Sequence, residues 1–168
     1  AEIAEYASQE HTSFATDAER RARVAVAFDA ARDRLTEHLG VPVQLPDLSS
    51  LGYTFHGGCQ SSVPGEPRSC HVLYKKSTPT GGALVSLFMM PDVDEIDDGA
   101  SGRMERGYWY PSDGGPECAH RVLRCTNRDL VFFLVCCSDK DRDPVSDLVI
   151  RAIEGLGPPR SSMSGGAN

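Results

Sequence analysis

Six cysteines and five histidines in 168 residues are the side chains best suited to chemistry in this chain, and most of them fall in strand-like stretches after residue 50. His56, Cys59, Cys70, His71, Met89, Met90, Cys118, His120, Cys125, Cys136 and Cys137 supply thiolates, thioethers and imidazoles. Soft donors of this kind hold copper(I), and thiolate with imidazole holds zinc. The same cysteines could instead pair as disulfides in an oxidising compartment, or lie inert in a dry core.

Register separates these readings in part. A hairpin turning at residues 64 and 65 sets Cys59 opposite Cys70, and one turning at Asn127 and Arg128 sets Cys118 opposite Cys137. One bulge in either hairpin shifts its pairs by a residue. The candidate metal ligands are therefore Cys59, Cys70, His71, Cys118, His120 and Cys137, of which Cys59, Cys70 and His71 converge on one hairpin. The alternative for the same residues is a Cys59–Cys70 and a Cys118–Cys137 disulfide. Copper or zinc is the cofactor implied by the first reading, none by the second.

Blander roles fit the rest. Met89 and Met90 continue the apolar run of Leu87 and Phe88, and Cys136 and Cys137 continue LVFFLV, where neighbours on a strand point to opposite faces. Cys118 with His120, or Cys70 with His71, could be a nucleophile and base on paper, but such close neighbours on a strand cannot adopt the required geometry. GxSxG, HExxH, a phosphate loop and paired CxxC motifs are all missing, so no enzyme is expected. Asp92, Asp94, Glu95, Asp97 and Asp98 lack EF-hand spacing and read as a solvated loop.

These residues need elements to position them. Thr16 and Glu19 have the spacing of a capping box, which starts a helix near Asp17. Val24, Phe28, Ala31, Leu35 and Leu39 then lay one apolar stripe along it as far as Gly40. Pro42 and Pro46 keep VPVQLP extended, Asp47 and Ser49 make a turn, and Gly52 to Phe55 begins the first strand. Strands are expected at about 52–59, 70–75, 83–90, 107–110, 120–125 and 130–137, punctuated by glycine, proline and aspartate. A last helix carries Pro144 near its start and Val145, Leu148, Val149 and Ile153 on its apolar face, and stops at Gly155 or Gly157. The expected fold class is α+β: an antiparallel meander sheet with an N-terminal and a C-terminal helix packed on one face. Residues 1–16 read as a linker or an extended first helix, 17–157 as a single domain and 158–168 as a disordered tail.

Composition narrows the partners. At 40% hydrophobic the chain can bury a core of its own. A net charge of −7 argues against nucleic acid or an anionic membrane surface. No run of eighteen apolar residues is present, and neither an initiator Met nor a signal peptide opens the chain, which suggests a processed protein or a piece of a longer one.

The order of segments resembles a known family. An amphipathic helix ending in LG, the segment VPVQLPDLSSLGY, a Gly-Gly turn, the strands HVLYKK and ALVSLFMM, and the hairpin RVLRCTNRDLVFFLV before a final helix together resemble the extracytoplasmic domain of transmembrane anti-sigma factors, over about residues 17–155. The resemblance implies a periplasmic sensor or regulatory domain, with the membrane helix and the sigma-binding cytoplasmic domain lying outside these residues. The cysteines are not part of the family pattern, which makes a soft metal or a thiol oxidant the expected signal. A stand-alone, disulfide-stapled periplasmic module that binds another protein is the alternative. A homodimer is compatible with both.

Overall fold

The computed structural model describes residues 2–79, 81–91, 110–111, 118–125 and 130–155. The acidic cluster at 92–98, the TNRD turn at 126–129 and the tail at 158–168 lie outside these residues, as does most of the strand expected at 107–110.

The architecture is α+β, with helices at both ends of the chain packed on one antiparallel sheet. Strands β1 (Thr54–Val63), β2 (Glu66–Thr78), β3 (Gly81–Pro91), β4 (Tyr110–Pro111), β5 (Ala119–Cys125) and β6 (Leu130–Cys136) stand in the order β1-β2-β3-β6-β5-β4. Each half of the sheet is a meander of three strands, and the two halves join where β3 pairs with β6. Every described residue of β6 is buried, because the sheet is covered on both faces.

Alternation along the strands divides the core. Val85, Leu87 and Met89 on β3 face the same way as Val72, Tyr74, Phe132, Leu134 and Cys136. Helices α3 (Phe28–Leu39) and α4 (Arg142–Ile153) cover them with Leu35, Leu39, Val145, Val149 and Ile153, so the two expected helices do share a face. The other face carries Phe88, Met90, Val131, Phe133 and Val135 beneath Ala7 of helix α1 (Glu2–Thr16). Residues 2–16 thus form a first helix rather than a linker, set off from the next helix at Asp17. Ala7, Ser8, His11 and Phe14 recur at helical spacing and are all buried, which gives α1 its own docking stripe.

The single helix expected from Asp17 to Leu39 is broken in two. Asp17, not Thr16, caps helix α2 (Ala18–Val24), its carboxylate accepting the Arg20 backbone N–H at 2.9 Å, while the Thr16 hydroxyl turns back to the Thr12 carbonyl. Ala25 to Ala27 are extended between α2 and α3, and Ala25 bridges to Gly57 on the edge strand β1. The break has a topological cause: α1 and α3 lie on opposite faces, so the chain must pass around the β1 edge. Gly57 makes the crossing feasible, since a Cβ there would stand 1.9 Å from the Val24 carbonyl oxygen. The Gly57-Gly58 pair therefore lies inside β1 rather than in a turn.

The VPVQLPDLSSLGY segment is anchored by its aromatic end. Tyr53, 1% exposed, donates to Asp141 Oδ2 at 3.0 Å, and Lys76 Nζ reaches the same oxygen at 2.9 Å. Gly40 and Gly52, at φ 72° and 82°, end the helical segments on either side of it.

A candidate thiol and imidazole site beneath the first helix

The second hairpin folds in the expected register. Cys125 faces Leu130 and Ala119 faces Cys136, so one step further out Cys118 meets Cys137, and the two are joined in a disulfide. The first hairpin does not. The Ser69 hydroxyl accepts from the Val63 N–H and donates to the Ser61 carbonyl, holding a bulge between Ser61 and Val63 that moves the pairs from Ser61 to Gly57 by one residue, until a second bulge between Phe55 and Gly57 restores the register. Cys59 consequently faces His71, while Cys70 faces Gln60 and points into the opposite core. The expected Cys59–Cys70 disulfide is absent: both are free thiols, as is Cys136. Nor do Cys59, Cys70 and His71 form one ligand set, because Cys70 is on the wrong side of the sheet.

Five of the six candidate ligands nonetheless share a face. Cys59 and His71 lie on the side covered by α1. So do Cys118, His120 and Cys137, since His120 pairs with Val135 and the disulfide follows in the same alternation. The residue that organises this face is one that spacing in the strands could not indicate, His11 of α1. Its Nε2 lies 2.8 Å from Cys137 Sγ and its Nδ1 lies 2.7 Å from the hydroxyl of Ser86 on β3. Among the described residues, His11, Cys118 and Cys137 are a group whose donor atoms all come within 4.8 Å of one another. Ile3, Ala7, His11 and Phe14 at spacings of four, four and three were the signal, hidden in a polar segment.

Tautomers follow from donor chemistry. A disulfide sulfur carries no proton, so in the oxidised protein the Nε2–H donates to Cys137 Sγ and Nδ1 accepts from the Ser86 O–H. A thiol can donate or accept, and a hydroxyl can serve either tautomer by rotating. Ser86 thus holds the ring in place in both redox states.

Burial disfavours charge on His11 and His71. His11 is 1% exposed, and its imidazole is pushed down to about 4 by desolvation. His71 is lowered to about 3, first by burial, then by His11 and Arg20. Its ring stacks on Phe88 at 4.2 Å and meets the edge of Phe14 at 4.9 Å, and its Nε2 has no hydrogen-bond partner among the described residues. Cys59 is half-buried near Glu10 and Arg20; burial and then Glu10 raise its thiol, while Arg20 draws it back. Cys70 is raised to about 12 by desolvation, foremost, and then by Cys59. An apolar, neutral setting makes Cys70 a core thiol.

Helix α1 is clamped over the site by α2. Arg20 grips Glu10 through two hydrogen bonds of 2.9 and 2.7 Å, lies over the Phe14 ring at 4.6 Å and donates to Ser13. The chain matches no protein-family model, no curated protein and no solved structure.

Proposed function

We propose that these residues form the extracytoplasmic sensor domain of an anti-sigma factor, and that its signal is read in the thiol chemistry of Cys118 and Cys137. The observation that carries this reading is the disulfide in direct contact with a buried histidine of α1. A change in the bond is felt at once by the helix, because His11 loses or gains its partner. The element order, with a PDL segment between helix and meander, supports the family assignment made from the sequence. A disulfide is compatible with an oxidising compartment, as the periplasm is. Among the described residues no helix is long and apolar enough to cross a membrane. Signal transmission in this proposal therefore calls for a membrane helix elsewhere in the polypeptide.

Burial of the site favours a role in binding over one in catalysis. His11 closes onto Cys137 from α1 with its ring shut off from solvent, so no substrate could reach the ring without the helix moving. The alternative, a disulfide-stapled module that binds another protein, draws on the burial of Cys70 and Cys136, which leaves them no part in sensing.

The test is a sigma-dependent reporter in cells carrying the full-length protein, challenged with a dithiol, a thiol oxidant, copper and zinc. The proposal expects at least one of these to change reporter output, and Cys137→Ser to abolish that response while the protein still accumulates. Output indifferent to all four agents and to the substitution overturns it in favour of the inert module.

A further inference from the structure

We infer that reduction of the Cys118–Cys137 bond creates a site for one thiophilic cation, held by the two sulfurs and by His11 Nε2. Three elements contribute one donor each: α1, the start of β5 and the end of β6. Their ligand atoms already lie within 4.8 Å of one another, which leaves only small side-chain rotations to reach metal bonds of about 2.3 Å to sulfur and about 2.0 Å to nitrogen. The histidine is prepared for the task. Ser86 engages Nδ1, the arrangement that fixes a metal-bound imidazole from behind.

Oxidation state decides occupancy. In the disulfide both sulfurs are spent on each other and offer no thiolate. A dithiol reductant supplies two electrons and two protons, is itself oxidised to a disulfide, and leaves two thiols on the protein. The cation then replaces the two thiol protons, which pass to solvent. The set of two sulfurs and one imidazole completes trigonal coordination for copper(I), and for zinc leaves a fourth position to an outside donor. Hard cations such as magnesium and calcium find no carboxylate in this group among the described residues. Of the free thiols described, Cys70 and Cys136 face the opposite core, and Cys59 lies beyond the group.

This deepens the sensing role proposed above and rests on it only for when reduction happens. Protein refolded with a dithiol is titrated with copper(I) against a coloured copper(I) chelator and, separately, with zinc against a zinc indicator, with circular dichroism confirming the fold. The expected result is one equivalent of metal in the reduced protein and none in the oxidised one. His11→Ala and Cys137→Ser should each weaken binding at least tenfold, Ser86→Ala by about 10- to 100-fold, and Cys59→Ser by less than twofold. X-ray absorption separates three-coordinate copper from four-coordinate zinc. Equal binding in both redox states, or binding lost in Cys59→Ser and kept in Cys137→Ser, overturns the site. Should reduced protein bind metal although no dithiol reduces the bond in the folded state, the site stands and the redox sensor falls.

Discussion

His11 Nε2 and Cys137 Sγ meet at 2.8 Å across 126 residues of chain, and this contact ties the first helix to the last strand at the one disulfide found among the described residues. It joins α1, which apolar side chains and the Arg20 clamp also hold, to the most buried part of the sheet. The stability of α1 is therefore coupled to a bond that redox chemistry can open.

The staple itself has a measurable worth. Cys118 and Cys137 are 19 residues apart, and closing a loop of that size restrains the unfolded chain by about 3 kcal/mol. Cys118→Ser should lower the unfolding free energy by that order in urea titration under non-reducing conditions, and adding a dithiol should bring the wild type down to meet it. A variant as stable as the oxidised wild type would show that native strain cancels the gain.

Stability should also fall in mild acid, and the sign follows from the two buried imidazoles. Unfolded, each takes up a proton near 6.5; folded, His11 resists until about 4 and His71 until about 3. The unfolded chain thus binds more protons throughout that window, so their contribution is intact above pH 6.5 and is lost as the pH drops toward the folded values. The loss between pH 7 and 4 is on the order of a few kcal/mol. Among the described residues no carboxylate directly faces either ring: His11 meets Ser86 and Cys137, and His71 meets Phe14, Phe88 and the repulsion of Arg20. Thermal melts of His71→Phe should show a shallower pH dependence than the wild type; identical slopes would place the proton uptake elsewhere.

Gly57 is a sharper test of the fold than any core residue. Gly57→Ala drives a Cβ into the Val24 carbonyl, backbone against backbone, and should cost ~3 kcal/mol or more. Gly65→Ala, at φ 81° in open space, meets only the left-handed penalty of ~1 kcal/mol. Urea midpoints of the two variants that fell together would argue against α2 crossing the β1 edge.

Thiol labelling distinguishes the cysteines by position. Cys59 is half-buried at the α2 side of β1 and should react with a maleimide in the native protein, slowly because its thiol is raised. Cys70 and Cys136, both 0% exposed, should react only at the rate of unfolding. Native-state mass mapping that finds Cys70 modified before Cys59 would contradict the bulged register of the first hairpin.

Much of this was readable in the residues, for reasons that differ by element. The second hairpin kept its expected register because LVFFLVC and AHRVLRC are strongly strand-forming and pair without interruption. The first hairpin slipped because Ser69 offers hydrogen bonds that a bulge satisfies and a regular ladder would not. The helix break at Ala25 to Ala27 could not be foreseen from periodicity, since Val24 and Phe28 keep their spacing across it. Only the need to pass from one face of the sheet to the other, a tertiary fact, forces the chain open there. His11 escaped notice because one histidine in a polar helix carries no pattern until Ser86 and Cys137 are placed beneath it.

Alternation along β6 has one last consequence. Phe132, Leu134 and Cys136 build a greasy interior with α3 and α4, while Phe133, Val135 and Cys137 look toward α1 and its imidazole. Neighbouring letters in one strand thus belong to different compartments of the molecule. The scaffold can be rewritten at even positions and the chemistry at odd ones, so that drift in one text need not corrupt the other.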